Sequence, residues 1–125
     1  MTKIEVAEHY LSFLEKGEVD KVIALFTDNG IVESPLYGVL PAREFYRVLA
    51  EDTNASELQL DGVFSENNSN RISVLFKYIW TLKNNTKVEF KVVDILEFSS
   101  ENKIEKLIII YDTIEARKIL AASKS

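Results

Sequence analysis

Asp94 is the residue whose type and setting point most directly to chemistry. It stands in the run Val88, Phe90, Val92, Asp94, Leu96, Phe98, in which every other residue in the run is apolar and the positions recur at every second step. That period places all six on one face of a strand. A carboxyl among such neighbours loses its hydration when charged, so its pKa rises. In the neutral form it can donate a hydrogen bond to an oxygen on a ligand. Tyr10 carries a second donor. It lies on the stripe Ile4, Ala7, Tyr10, Leu11, Leu14, whose spacing is helical. Other roles remain open: Tyr10 and Tyr46 as core tyrosines with satisfied hydroxyls, and Asp94 as a structural carboxylate bonded to Tyr10 or to backbone.

Other chemistries are poorly supplied. There is no cysteine, which excludes thiol catalysis, disulfides and thiolate metal sites. His9 is the only histidine. It falls at the edge of the helical stripe and reads as a surface residue, and a histidine-rich metal site is impossible. No carboxylate cluster stands out, and nothing brings His9 to a serine, so neither a metal nor a cofactor is expected. The net charge is −5 with no basic run, which argues against nucleic acid and an anionic membrane surface as partners. The sequence enters an amphipathic pattern at its start without a signal-like segment, so a cytoplasmic location is expected.

The elements that must position Tyr10 and Asp94 can be read from periodicity. At 125 residues and 46% hydrophobic, the chain suits one domain over 1–125 with a proper core. The first helix ends at Gly17. Val22, Ile23, Leu25 and Phe26 mark a short second helix, closed by Asp28-Asn29-Gly30. Ile31 to Ser34 is a short strand stopped by Pro35. Pro41 opens a third helix with the stripe Phe45, Val48, Leu49. Leu58 to Phe64 is a weak strand. Ile72 to Leu82 and Val88 to Phe98 alternate around a turn at Asn84-Asn85, and Ile104 to Tyr111 is a last strand. Helices packed on one face of a curved antiparallel sheet make an α+β domain. The cavity between the layers would be lined by inward residues, with Phe26, Tyr46, Phe76, Phe90 and Tyr111 as the expected pocket aromatics.

Several stretches resemble the ketosteroid isomerase branch of the NTF2-like (SnoaL-like) superfamily, and the resemblance covers nearly the whole chain. Tyr10 to Pro35 reads YLSFLEKGEVDKVIALFTDNGIVESP, similar to the family's helix, Gly-acidic turn, second helix and strand end. Arg43-Glu44-Phe45-Tyr46 and Val93-Asp94-Ile95-Leu96-Glu97-Phe98 are further matches. The resemblance implies an NTF2-like/cystatin-like cone: three N-terminal helices on a curved antiparallel sheet. It implies that Tyr10 and Asp94 form an oxyanion hole, the Tyr hydroxyl and protonated Asp that are a worked case of pKa tuning. Tyr46 matches a supporting Tyr.

The base position departs from the family pattern. Val32-Glu33-Ser34-Pro35 puts Ser34 where the family has its proton-shuttling Asp. A Ser hydroxyl has no useful basicity without a partner base, and Glu33 should face the other way on the strand. The resemblance thus implies a pocket for a small apolar molecule with a carbonyl or hydroxyl group. An isomerase, cyclase or dehydratase on an apolar carbonyl compound is one reading; a non-catalytic ligand-binding or dimerisation module is the other. The last strand is expected to place Ile104, Ile108 and Ile110 on the face opposite Leu107, Ile109 and Tyr111. Three isoleucines in water would mark an interface, and the resemblance also implies pairing through this face, so a homodimer is expected.

Overall fold

The structure is a computed structural model and describes residues 1–124. α1 (Lys3–Glu15) opens with a capping box: Thr2 Oγ1 accepts from Glu5 N at 3.1 Å while Glu5 Oε1 accepts from Thr2 N at 2.9 Å. It closes on Gly17, whose φ of +70° is open to glycine at no steric cost. There Glu18 N reaches Phe13 O at 2.9 Å, the hydrogen bond of a Schellman end. Val6, Ala7, Tyr10 and Leu11 are the buried face, whereas Ile4, placed by its spacing on the stripe, is exposed.

α2 (Val19–Ala24) runs directly into β1 (Phe26–Ser34). The turn expected at Asp28-Asn29-Gly30 is instead an irregularity inside that strand, where the pairing to the last strand slips between Phe26 and Ile31. A Cβ on Gly30 would come within 2.9 Å of the Phe26 ring and 3.1 Å of Ile104 O, so the chain can pass there only as glycine. β2 (Gly38–Pro41) forms a hairpin with β1 that periodicity did not reveal. α3 (Ala42–Asp52) follows and buries Ala42, Phe45 and Tyr46. β3 (Thr53–Ser65) begins five residues ahead of its expected start, in a polar stretch that carries no alternating signal. β4 (Arg71–Leu82), β5 (Lys87–Phe98) and β6 (Ile104–Ile110) complete an antiparallel meander.

The six strands form one curved sheet in the order β2-β1-β6-β5-β4-β3. β1 and β6 run parallel, which corrects the expectation of a wholly antiparallel sheet: β1 comes from the far end of the chain and meets β6 through a crossover, not a hairpin. A fourth helix, α4 (Ile114–Lys124), was not anticipated; Asp112 Oδ1 caps it by accepting from Ile114 N at 3.0 Å. Among the described residues, no helix is long and apolar enough to cross a membrane.

The inner face of the sheet carries the core. β4 alternates strictly, with Ile72, Val74, Phe76, Tyr78, Trp80 and Leu82 buried against the helices. The same alternation on β5 turns Val92, Asp94, Leu96 and Phe98 inward. Ile104 is a correction. It is fully buried, not part of an outer isoleucine face. Phe98 pairs with Ile104 and Glu97 with Lys106, so Glu105 is an extra residue that reverses the phase of the strand. Ile108 and Ile110 do face outward, in rows with Ile95 and with Val93 and Leu75.

Candidate active site

Tyr10, Ser34 and Asp94 converge on one cavity between the helical layer and the sheet. Phe76, Phe90 and Tyr111 also line it. Its volume is about 40 Å³. At roughly 10–15 Å³ per water, that is room for a few small molecules of that size or for a ligand's functional group.

β5 delivers Asp94 to this space. Its cross-strand neighbours are Val74 on β4 and Ile109 on β6, so no polar side chain flanks it in the sheet. The residue is 2% exposed, and Oδ1 has no hydrogen-bond partner among the described residues. Burial alone pushes its carboxyl well above the ordinary carboxylate range. Burial thus favours the protonated form, which is able to donate.

α1 delivers Tyr10, which is 1% exposed. Its hydroxyl lies 2.7 Å from that of Tyr46, carried by α3. Burial raises both phenols well above their ordinary value, and the nearby Tyr46 and Asp94 reinforce the effect on Tyr10. Tyr46 does not line the cavity itself: it stands behind Tyr10, its ring edge-on to Phe45 and tilted against Phe26. Phe26 likewise is not part of the lining; its ring packs 5.6 Å from that of Tyr46. Phe26 is the first residue of β1 and is buried without reaching the cavity, which inward orientation alone could not reveal.

Ser34 ends β1 with its side chain toward the cavity, but its oxygen is engaged. Oγ accepts from Leu36 N at 3.1 Å and from Tyr37 N at 3.0 Å. This turn chemistry after a strand stopped by proline fixes the β1–β2 hairpin. Both acceptor positions of the hydroxyl are taken, and its own proton remains available. Glu33 points to the opposite face and pairs with Lys106 at 3.0 Å. His9 is exposed, with Nδ1 2.8 Å from Glu5 O in its own helix.

Two tyrosines that the sequence did not single out also line the cavity. Tyr37 rides on the hairpin and donates to Asp52 Oδ2 at 2.6 Å. Burial, then Asp52, raises its pKa far above the ordinary phenol value. Tyr78 on β4 has its hydroxyl 2.7 Å from Ser56 Oγ and stacks on Phe90, which stacks on Tyr111 with ring centres 4.2 Å apart. Burial pushes Tyr111 up to about 12. Tyr37 lies in a loop, where periodicity carries no signal; Tyr78 was visible in the alternation of β4 and passed as core.

No protein-family profile and no curated relative matches this sequence. Solved structures do match. An NTF2-like protein of unknown function from Burkholderia pseudomallei aligns over 94% of this chain and 97% of its own, with a TM-score of 0.81 at 17% identity. SalBIII, an epoxide hydrolase/cyclase-like enzyme with a role in pyran ring formation in the polyether salinomycin, aligns over 88% of this chain and 90% of its own, with a TM-score of 0.76 at 19% identity. An uncharacterised cystatin-fold protein from Novosphingobium aromaticivorans covers 88% of this chain and 98% of its own, with a TM-score of 0.74 at 14% identity. With helices packed on a curved sheet and a cavity between them, the chain has the NTF2-like (SnoaL-like), cystatin-like fold.

Proposed function

We propose that the chain binds a small apolar carbonyl compound in this cavity and polarises it, as an isomerase, cyclase or dehydratase would. The observation that carries this reading is Asp94: a fully buried carboxyl, whose burial favours the neutral form, with an oxygen that has no hydrogen-bond partner among the described residues. An unpartnered buried polar atom is costly, and a ligand oxygen placed beside it would remove the cost. Tyr10 supplies a second donor from the helical side. Either hydroxyl of the Tyr10–Tyr46 pair can donate; in the arrangement this reading requires, Tyr46 donates and the Tyr10 proton points at the ligand. Two donors aimed at one oxygen stabilise the charge that builds there as a proton leaves the adjacent carbon or a nucleophile adds.

Ser34 cannot take that proton, because its oxygen already accepts two amides. The site therefore suits electrophile activation, with the nucleophile or base carried by the ligand, more than proton shuttling by the protein. The structural likeness to SalBIII supports small-molecule chemistry of the cyclase kind. A non-catalytic ligand-binding or dimerisation module is the second reading. It is favoured by the outer sheet face, where Leu75, Val93 and Ile110 form one cross-strand row beside Ile95 and Ile108. We take this face as the surface of a homodimer.

Infrared spectroscopy of bound 2-cyclohexenone tests the donor pair. Two donors should lower the carbonyl stretch below its value in water, and Asp94→Leu should reverse part of that shift. A bound ketone whose stretch matches that in hydrocarbon, or an enone that does not bind, would sink the reading.

A further inference from the structure

The proton that Ser34 cannot take has another destination in the cavity wall. Tyr37 lines the cavity from the β1–β2 hairpin and donates to Asp52 Oδ2 at 2.6 Å. That length lies in the range of about 2.5–2.7 Å for a hydroxyl bonded to a carboxylate. Two neighbours aim the tyrosine. Ser34 Oγ accepts from its amide at 3.0 Å, and the Phe45 ring stands edge-on to its ring with centres 5.8 Å apart. Asp52 is the last residue of α3 and shares a helical face with Phe45 and Leu49, which line the cavity themselves. Asp52 is not part of the lining and is only half-buried, so water reaches it. The Tyr37 hydroxyl thus connects the cavity to a group in exchange with solvent.

Such a pair does not act through a standing phenolate. Burial, and then the hydrogen bond to Asp52, hold the proton on the Tyr37 oxygen. That oxygen takes a new proton only as it hands its own to Asp52. A hydroxyl on the ligand can hydrogen-bond to Tyr37 Oη, and the proton then moves along a line of oxygens. A carbon-bound proton makes no such bond and asks for a base placed directly at the carbon.

We propose that Tyr37 and Asp52 form a proton relay for ring closure: a hydroxyl carried by the ligand passes its proton to Tyr37, Tyr37 passes its own to Asp52, and the freed oxygen adds to an α,β-unsaturated ketone in the same molecule. The ligand's O–H bond breaks and a C–O bond forms at the β-carbon. The electrons of the C=C bond move onto the carbonyl oxygen as an enolate, beside Tyr10 and Asp94. The α-carbon then takes a proton from water and Asp52 releases its proton to water, so the product is an isomer of the substrate. The inference rests on the reading of Tyr10 and Asp94 as donors and adds the base, the nucleophile and the class of reaction.

The probe is (E)-8-hydroxyoct-3-en-2-one, which closes to a tetrahydropyran; the loss of its enone absorbance follows the reaction. Tyr37→Phe removes the first oxygen of the relay. Asp52→Asn keeps an acceptor for the Tyr37 hydroxyl but takes no proton, so a merely structural role would leave its rate unchanged. Each variant should lower kcat by at least about tenfold, a cautious share of what a positioned base supplies, with KM within about twofold. Asp52→Glu should recover activity that Asp52→Asn lacks. The double variant should be no slower than either single one, because a relay is broken only once. If Tyr37→Phe fails to fold, the Asn and Glu variants decide alone. A wild-type chain that does not accelerate the closure, or an Asp52→Asn chain as fast as the wild type, overturns the relay. The carbonyl stretch of bound 2-cyclohexenone, which needs neither residue, then shows separately that the donor pair stands or falls. Closure that Asp94→Leu leaves at the wild-type rate refutes the donor pair, and the relay with it.

Discussion

Replacing Asp94 by Asn keeps the shape of the side chain and removes its titration. In the unfolded chain the carboxyl titrates near its ordinary value of 3.8; in the fold, burial between Val74 and Ile109 raises it well above that. Between the two values the native state holds a proton that the unfolded state has lost. Stability therefore falls as pH rises through this window, by up to about 1.4 kcal/mol per pH unit. Below 3.8 both states are protonated and the contribution is fully present; above the folded value its loss is complete. The Asn variant lacks this dependence. Over any two pH units inside the window, its stability should gain on the wild type by up to about 2.7 kcal/mol. At a urea slope of about 1–3 kcal/mol per molar, a difference of that size moves the midpoint by roughly 1–3 M. Trp80, which is 2% exposed, reports unfolding by fluorescence. Urea curves at pH 4, 5, 6 and 7 suffice, and every other titrating group cancels in the comparison. Midpoints of wild type and variant that run parallel from pH 4 to 7 would mean that Asp94 ionises alike in both states. The neutral donor, and the chemistry built on it, would then be refuted.

Three further outcomes are expected. Ser34→Asp puts a carboxylate where Oγ now accepts two amides, and should speed conversion of 3-cyclohexenone to its conjugated isomer by at least about tenfold; Asp94→Leu in that background should abolish the gain, and a folded variant that binds the ketone without acceleration would count against a latent base site. Tyr46→Phe leaves the buried Tyr10 hydroxyl without its partner and should cost about 1–3 kcal/mol in urea denaturation. The double variant Tyr10→Phe/Tyr46→Phe, with neither hydroxyl left, should be the more stable of the two, and the reverse order would show that the pair is not isolated. Light scattering at micromolar concentration should give the mass of a dimer for the wild type and of a monomer for Ile108→Lys; a monomeric wild type would exclude the outer sheet face as a self-interface.

Sequence by itself determined the phase of the long elements. The uninterrupted alternation from Ile72 to Leu82 and from Val88 to Phe98 could satisfy a core only one way, so Asp94 had to point inward and lose its water. The helical stripe did the same for Tyr10. Tertiary structure decided wherever the phase is set by a partner distant in the chain. The extra residue at Glu105 turned Ile104 inward, and a parallel pairing with β6 made a strand of residues from Phe26 onward that read locally as helix and turn. Which inward aromatic reaches the cavity was equally non-local: Phe26 and Tyr46 stand behind Tyr10, while Tyr37 arrives on a hairpin held by Ser34 and Asp52. The cavity's own lining draws Leu14, Leu49 and Tyr78 from three elements at once. Periodicity records how one segment divides between water and core; it holds no term for hydrogen bonds and contacts between segments, and those place the site's walls.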